Sequence, residues 1–343
     1  MGVNYQTVLW NKNKKIYDKW IGLSMLIYLL CFIGITIITN GETSPETLII
    51  RAFGTLAIAL LHIILAIGPL ARLNTRFLPL LYNRRHLGVS MFLAALIHGG
   101  FSIFQFHSLG NTNPIYAIFT SNMDYGSLTN FPFQVLGFFA LIILFLMAAT
   151  SHDFWLKNLS PKIWKRLHMM VYFAYALIIL HVFLGAFQQQ PSIASILVLG
   201  LGFITIASLH LITGFKETKA DKIKTQLVED GWEYVCDIDE IPEDRAKIFI
   251  VENERIAVFK YDNKLSAIAN VCKHQGGPLG EGKVIDGCVT CPWHGYQYLP
   301  HNGQSPPPFT EKVSTYRLKN NNNKIYVLPE ALAEGTEVAP VTY

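Results

Sequence analysis

Long apolar runs separated by short polar segments make up the first 215 residues of the chain. A helix that crosses a membrane needs about 20 mainly apolar residues, because each residue advances the helix by about 1.5 Å through a hydrocarbon layer about 30 Å thick. The connections between the runs hold most of the proline, asparagine, glycine and charge of this half. Six runs are long enough, and they predict spanning helices at about 20–39, 48–70, 87–106, 131–150, 167–187 and 193–214.

From Lys216 onward the pattern is that of a soluble β domain. Residues 247–271 alternate apolar and polar side chains, with turn-forming residues at Glu252–Glu254 and at Asp262–Asn263. We therefore predict an all-α six-helix transmembrane bundle followed by an all-β domain. The predicted boundaries are 1–215 for the bundle, 216–225 for a linker, 226–332 for the β domain and 333–343 for a C-terminal tail.

The positive charges orient the predicted bundle. The net charge of +4 is too small to indicate a nucleic-acid partner, so the positions of the charges matter more than their total. Short loops rich in Lys and Arg stay in the cytoplasm, and Arg51 is the only basic residue near the opposite side of the lipid bilayer. Both termini and the β domain are therefore predicted to face the cytoplasm from the inner (plasma) membrane. The basic residues on that side are Lys12, Lys14, Lys15, Lys19, Arg72, Arg76, Arg84, Arg85, Lys157, Lys162, Lys165, Arg166, Lys216, Lys219, Lys222 and Lys224.

Two histidines lie at matching depth in different predicted spans. His98 is 14 residues beyond Arg84, and His181 is 15 residues beyond Arg166. A lone histidine in a span more often hydrogen-bonds a neighbouring helix, but ionisable residues at this depth are costly and indicate function. Two imidazoles can each give a neutral nitrogen to one face of a heme iron. The pair therefore predicts a bis-histidine heme b.

A third histidine leaves the number of hemes open. His168 precedes His181 by 13 residues, which is about 19 Å on a helix. This distance would suit a second heme nearer the cytoplasm, but a continuous helix would rotate the two side chains about 220° apart. His86 fits as a partner for His168 by depth, and His62 and His210 stay open. One heme is expected, and a second is an alternative.

The densest chemistry in the sequence is Cys272-Lys-His274 followed, after sixteen residues, by Cys291-Pro-Trp-His294. A Rieske [2Fe-2S] cluster takes two thiolates on one iron and two imidazoles on the other. A Cys₂His₂ zinc site uses the same residue types, but zinc fingers pair Cys with Cys and His with His along the chain. The alternation favours the iron–sulfur cluster. Cys31, Cys236 and Cys288 are interpreted as packing residues.

The membrane half resembles the ferric-reductase-type transmembrane domain, most closely the heme-bearing membrane subunit of bacterial periplasmic methionine sulfoxide reductase. The resemblance lies in the sequences of Arg84–His98, Ala148–Ser151 and Trp164–His181. It implies that His98, His168 and His181 are associated with heme, and it gives no support to His86, where an apolar residue is expected. Larger relatives append a flavin- and nicotinamide-binding domain, for which no glycine-rich turn follows Lys216; a bound flavin is left open.

The flanks of the cysteine motifs, "CKHQGGPLGEG", "CPWHGYQY" and "NGQSPPPF", are similar to Rieske ferredoxins and the small subunits of nitrite reductases. Respiratory members of this family brace their two cluster loops with a disulfide, and Gly277 and Trp293 stand at the corresponding positions. The resemblance therefore implies the ferredoxin-like type, with a potential near the low end of about −150 to +300 mV. A reducing cytoplasmic location agrees with this type.

Together these features predict an electron carrier rather than a complete enzyme. A cytoplasmic reductase or ferredoxin-type donor would reduce the cluster, the cluster would reduce heme, and heme would pass electrons to a membrane or extracytoplasmic acceptor. Reverse flow from quinol or heme to a cytoplasmic enzyme is an alternative, as is a redox or iron sensor. A Rieske oxygenase needs a further iron-binding domain, for which the roughly fifty residues after His294 leave no room.

Overall fold

The computed structural model describes residues 12–39, 42–81, 84–189, 193–221, 226–227, 231–252, 254–293 and 295–343. Its N-terminal part is helical and its C-terminal part is built from β-sheets. The α-helices are α1 Lys12–Thr39, α2 Pro45–Leu73, α3 Leu78–Leu81, α4 Arg84–His107, α5 Pro114–Thr120, α6 Phe133–Ala149, α7 Asp153–Asn158, α8 Pro161–Met169, α9 Val171–Gln189 and α10 Ile193–Asp221.

Among the described residues, five helical segments are long and apolar enough to cross a membrane: Lys15–Thr39, Pro45–Leu73, Arg84–His107, Ile163–Gly185 and Val198–Thr218. The remaining predicted span forms α6, which has 17 residues and begins after Pro132. Such a helix rises only about 25 Å, slightly less than the hydrocarbon layer. The chain is therefore a multi-pass membrane protein, and the count of six spans stays a prediction.

In the spans, large apolar side chains of α1 are exposed, and several alanines of the other helices are buried at helix contacts. Large apolar side chains such as Leu30 and Ile38 are exposed on the surface of α1, with relative accessibilities of 61% and 85%. Alanines at 52, 94, 140 and 174 are almost fully buried. Small residues at contacts let membrane helices approach closely, since burial in lipid supplies no hydrophobic force between them.

The stretch that carries His168 and His181 is not one regular helix. Helix α8 ends at Met169 and α9 begins at Val171. The predicted angular separation of about 220° assumed an unbroken helix, so that argument does not apply to these two side chains. The last helix, α10, continues to Asp221, so the predicted linker at 216–225 starts as helix, and residues 222–225 lie outside the described part.

The C-terminal strands form three antiparallel sheets. Their orders are β1-β2-β11-β10, β12-β5-β4-β3 with β9 also on β5, and β6-β7-β8. The strands are β1 Gln226–Leu227, β2 Glu233–Asp237, β3 Arg245–Val251, β4 Glu254–Tyr261, β5 Lys264–Ala269, β6 Lys283–Ile285, β7 Cys288–Thr290, β8 Gln297–Tyr298, β9 Thr315–Tyr316, β10 Leu318–Asn321, β11 Lys324–Val327 and β12 Val341–Thr342.

The predicted turn between β4 and β5 is confirmed. Tyr261 pairs with Lys264, and the two residues between them, Asp262 and Asn263, have φ of 44° and 56°. A two-residue hairpin with both central φ angles positive matches the twist of the flanking strands, and Asp and Asn tolerate that conformation better than most residues. The central strands β4 and β5 lie between two buried clusters, one of which contains Cys272 and Cys291.

Candidate functional site

Two loops of the β domain, Cys272–Gly277 and Cys291–Tyr296, close in the same way. In the first, the Cys272 N–H donates to Gly277 O at 2.8 Å and the Gly276 N–H donates to Cys272 O at 2.7 Å. In the second, the Cys291 N–H donates to Tyr296 O at 2.8 Å and the Gly295 N–H to Cys291 O at 2.9 Å. The repeated pattern gives each cysteine a tight loop in which the backbone is already paired.

A glycine sits at the fourth position after each of these cysteines for a conformational reason. Gly276 has φ of 72° and Gly295 has φ of 74°, a left-handed conformation that costs glycine little because it has no Cβ. A bulkier residue would strain the turn that brings the loop back over its own cysteine. The motif spacing therefore encodes two equivalent loops, which is the arrangement that a cluster held from two sides requires.

The two loops are packed against each other at Gly277. A Cβ atom on Gly277 would lie 2.8 Å from the Cys291 Sγ and 3.1 Å from the Trp293 ring. A side chain at this position would collide with the Cys291 sulfur and the Trp293 indole, so the close contact of the two loops requires glycine. None of the five cysteines forms a disulfide in the structure.

Both cysteines are shielded from water, and the Cys272 sulfur receives a hydrogen bond. Cys272 and Cys291 are 1% and 2% exposed, and the Tyr298 hydroxyl lies 3.4 Å from the Cys272 Sγ. Because that hydroxyl oxygen accepts the Lys273 N–H at 2.9 Å, its own proton is directed to the sulfur. Burial, together with the neighbouring Cys272, raises the pKa of Tyr298, so the phenol stays a donor. Burial by itself would raise the pKa of Cys272, but hydrogen bonds from its surroundings lower it.

The histidine of the first loop is held by an aromatic stack. The His274 ring lies 5.0 Å from the Tyr296 ring and nearly parallel to it, at 8°. Tyr296 is fixed in turn by a hydrogen bond from its hydroxyl to Glu311 and by contact with Phe309.

The structure thus brings Cys272, His274 and Cys291 to the two facing loops, while His294 lies outside the described residues. Within the described ranges no three His, Cys, Asp or Glu side chains converge on a single ion. A two-iron cluster does not require such a convergence, because each iron takes only two protein ligands. Cys288 lies in β7, directly before the second loop, where it pairs with Ile285.

A second candidate site lies in the helical part, where His98 of α4 and His181 of α9 face each other. Their ring centres are 6.1 Å apart. The His98 Nδ1 donates to Ile50 O at 2.9 Å, and the His181 Nδ1 donates to Phe133 O at 2.8 Å. Each ring is therefore fixed as the tautomer whose Nε2 carries the lone pair, as metal-binding histidines require.

Each of these rings rests on a glycine of a neighbouring helix. A Cβ on Gly54 would lie 2.8 Å from the His98 Nδ1, and a Cβ on Gly137 would lie 2.7 Å from the His181 ring. Gly54 follows Ile50 by four residues on α2, and Gly137 follows Phe133 by four residues on α6. In both cases the absent side chain lets the imidazole approach the carbonyl one turn earlier.

This geometry fits a metal between the two rings. A metal–nitrogen bond of about 2 Å on each side of an iron places two imidazole centres about 6 Å apart, close to the observed 6.1 Å. The residues present therefore match the donor set and the spacing of a bis-histidine heme.

The other histidines of the spans have partners of their own. His62 binds Ile58 O through Nδ1 at 2.8 Å and the Tyr175 hydroxyl through Nε2 at 3.0 Å. His210 likewise binds Ile206 O and the Tyr172 hydroxyl. Each of these two imidazoles is hydrogen-bonded through both nitrogens, as is usual for a lone histidine in a span.

His168 contacts a backbone carbonyl and a serine, whereas His86 contacts a carboxylate. The His168 Nδ1 lies 3.0 Å from Trp164 O, and its Nε2 lies 3.3 Å from the Ser151 Oγ. His86 contacts the Asp18 carboxylate, with Nδ1 at 2.8 and 2.9 Å from the two oxygens. The sequence alone did not identify the contact of Asp18 with His86. Nor did it identify the contacts of Gly54 and Gly137 with the two facing histidines, because each of these depends on a distant helix.

Comparison with known proteins supports both halves of this description. Residues 53–179 match the family of ferric reductase like transmembrane components, and residues 231–317 match the Rieske [2Fe-2S] domain. The anthranilate 1,2-dioxygenase ferredoxin subunit of Burkholderia cepacia is 33% identical over 97 residues, which are 28% of this chain and 90% of that protein.

Two further similarities cover the separate halves. The protein-methionine-sulfoxide reductase heme-binding subunit MsrQ of Polaromonas naphthalenivorans is 27% identical over 179 residues, which are 48% of this chain and 75% of that protein. The ferredoxin of carbazole 1,9a-dioxygenase from Nocardioides aromaticivorans aligns with a TM-score of 0.27 at 22% identity, covering 28% of this chain and 98% of that one. The identity of 33% to a ferredoxin subunit that this chain covers to 90%, together with the family match, shows that the C-terminal part of the chain belongs to the Rieske [2Fe-2S] family. That part follows a ferric-reductase-like transmembrane domain in the same chain.

Proposed function

We propose that this chain carries electrons from a cytoplasmic donor through a Rieske cluster to heme b in the membrane, and from there to a membrane or extracytoplasmic acceptor. The observation that carries the proposal is the facing pair of His98 and His181, in a chain that also holds two Rieske loops. In this role the chain passes electrons between a separate donor and a separate acceptor. It is then one component of an oxidoreductase system rather than a complete enzyme.

The heme site consists of His98 and His181, each with its Nδ1 bound to a backbone carbonyl. When bound there, the heme iron supplies one-electron chemistry. The protein holds both rings in one tautomer and at one spacing. This would limit the movement of the two ligands when the iron changes its oxidation state. The relative MsrQ is described as a heme-binding subunit, which supports this assignment. His168 offers one ligand for a second heme near the cytoplasm.

The cluster site consists of Cys272, His274, Cys291 and His294. Sulfur ligands on one iron and neutral imidazoles on the other polarise the cluster and raise its potential above that of an all-cysteine cluster. The tight packing of Gly277 against Trp293 supports the ferredoxin-like type, for which we infer a potential in the lower part of the Rieske range.

The side of the membrane on which the β domain lies is inferred from the number of spans and from the basic residues. We infer six spans with both termini in the cytoplasm, so that the β domain beginning near residue 226 stands on the same side as Arg84, Arg85 and Arg166. The basic residues of these connections support that orientation, since short basic loops remain in the cytoplasm. The cluster would then receive electrons from a soluble reductase or ferredoxin.

The experiment measures heme reduction in sealed vesicles that expose the cytoplasmic side to a reductant. Reduction of heme should be fast in the intact chain and at least tenfold slower in His294→Ala with heme still bound. The matched control is His301→Ala, which changes a loop histidine of the same domain that neither cluster motif contains; it should behave as the intact chain. Equal rates in His294→Ala and the intact chain would show that electrons bypass the cluster.

A further inference from the structure

A glutamine side chain is buried inside the first cysteine loop of the β domain. Gln275 directly follows His274 in that loop, and only 2% of its surface is exposed. Glutamine is mostly an exposed residue, because its amide carries two hydrogen-bond donors and an acceptor that water satisfies at the surface. A buried glutamine therefore needs partners for these groups inside the protein.

Within the described part of the chain, neither end of this amide has such a partner. The Nε2 and the Oε1 of Gln275 are both shielded from solvent, and neither makes a hydrogen bond to a described residue. Buried polar groups of native proteins are almost always hydrogen-bonded, since an unsatisfied group has lost its bonds to water without replacement. The amide of Gln275 is an exception that requires an explanation.

Two other polar side chains that are buried as deeply in the same domain do have partners. The Asn270 Oδ1 accepts the Gly280 N–H at 2.7 Å, and the Thr315 Oγ1 donates to Thr336 O at 2.9 Å. The interior of the β domain thus satisfies buried polar groups that lie away from the cysteine motifs. The unsatisfied amide lies inside one of those motifs.

The segment that carries Gln275 lies against the sulfurs of both loops. The backbone N–H groups of His274 and Gln275 donate hydrogen bonds to the Cys272 sulfur. Two residues further on, a Cβ atom on Gly277 would lie 2.8 Å from the Cys291 Sγ. The buried amide therefore belongs to the stretch of chain that touches both cysteine ligands of the cluster site.

From these observations we propose that the Gln275 amide donates a hydrogen bond through Nε2 to a sulfur of the [2Fe-2S] cluster and thereby raises its potential. The proposal rests on the cluster assignment of the proposed function. Hydrogen bonds to the sulfurs are among the factors that set the potential of an iron–sulfur cluster. A glutamine amide is neutral and does not titrate, so it keeps both N–H groups at every working pH.

The direction of the effect follows from charge. Reduction adds one negative charge at the cluster site, and a hydrogen bond becomes stronger as the charge on its acceptor grows. A bond from the Gln275 Nε2 therefore stabilises the reduced form more than the oxidised form. An apolar side chain of similar size at this position lacks the donor, and the potential falls.

A side chain that only fills space predicts a different outcome. If the amide of Gln275 had no partner in the cluster-loaded chain, an apolar residue of similar size would remove an unsatisfied buried group. Such a change is neutral or stabilising for the fold, and it would leave the potential of the cluster where it was. The potential therefore distinguishes a hydrogen bond to the cluster from simple packing.

The test uses the full-length chain in lipid nanodiscs, made by cell-free synthesis with glutamine that carries ¹⁵N in its side-chain amide. Pulsed electron paramagnetic resonance of the reduced cluster detects coupling to a ¹⁵N nucleus, and a redox titration gives the midpoint potential. The variants are Gln275→Leu and the unbranched Gln275→Met, which remove the amide at similar volume. The matched control is Gln297→Leu in β8, whose amide already donates to the Thr290 Oγ1 at 3.2 Å.

We expect a ¹⁵N coupling in the intact chain and in Gln297→Leu, and none in either Gln275 variant. The equilibrium constant for reduction should fall about tenfold in both Gln275 variants, which is about 59 mV for one electron. No ¹⁵N coupling in the intact chain, a coupling that survives in Gln275→Leu, or an unchanged potential in both Gln275 variants would overturn the proposal. Failure of the proposed function would appear separately, as slow heme reduction through the cluster with the ¹⁵N coupling intact.

Discussion

Replacing Gly137 by alanine should weaken or abolish heme binding without disturbing the rest of the chain. The new Cβ would lie 2.7 Å from the His181 ring, about 0.7 Å short of an ordinary contact at 3.4 Å. The ring must retreat by that amount, and metal–ligand distances tolerate only about 0.2 Å. Retreat also stretches the hydrogen bond from the His181 Nδ1 to Phe133 O, now 2.8 Å.

The size of the effect follows from these two losses. Forcing a side chain to move in a packed interior costs about 1–3 kcal/mol, and a lost hydrogen bond costs about 1 kcal/mol. Mutation of groups that orient a metal ligand typically weakens metal binding about 10–100-fold. We therefore expect heme content well below that of the unaltered chain, or a low-spin spectrum replaced by a high-spin one.

The assay is the heme-to-protein ratio together with the visible and electron paramagnetic resonance spectra. Gly100→Ala is the matched control, because it also places alanine in a membrane helix and its Cβ would meet nothing within 4 Å. The signal of the [2Fe-2S] cluster reports whether the β domain stays intact. Full heme content with an unchanged spectrum in Gly137→Ala would refute the reasoning.

Three further predictions concern the cluster and the topology. Tyr298→Phe should lower the cluster potential by about 40 mV in a redox titration, if its hydrogen bond is about 1 kcal/mol stronger to the reduced cluster; an unchanged potential would contradict this. A soluble fragment beginning near Thr218 should bind two irons and two acid-labile sulfides by chemical analysis, and should still do so with Cys288→Ser; zinc without iron would contradict the assignment. Reporters active only in the cytoplasm should work after Lys157 and at the C-terminus but not near Thr43, where activity would mean a wrong orientation.

The hydrophobic pattern predicted the long apolar helices, because lipid as a solvent allows few alternatives to a helix for a long apolar run. It did not predict the short helices α3, α5 and α7, which lie in the predicted connections. The β domain was predicted equally directly, since the alternation of strands and the turn at Asp262–Asn263 are local properties. The two cysteine loops were predicted as a motif, but their shared closure through Gly276 and Gly295 became evident only from the hydrogen bonds.

The details that the sequence did not provide depend on contacts between distant segments. Asp18 meets His86 across 68 residues, and no local pattern pairs them. The break at Met170 has neither proline nor glycine to mark it. The roles of Gly54 and Gly137 could have been suspected, because small residues in spans favour close helix contacts. The histidine that packs against each glycine could be identified only from the contacts between helices.

The most direct test of the electron-transfer account is a stopped-flow experiment on the full-length chain in lipid, mixed with a cytoplasmic-side reductant and followed at wavelengths that separate cluster from heme. The account predicts that the cluster is reduced first and that heme reduction follows as the cluster is partly reoxidised, in both the intact chain and His301→Ala. Reduction of heme ahead of the cluster, or at an unchanged rate when His294→Ala has removed the cluster, would contradict it.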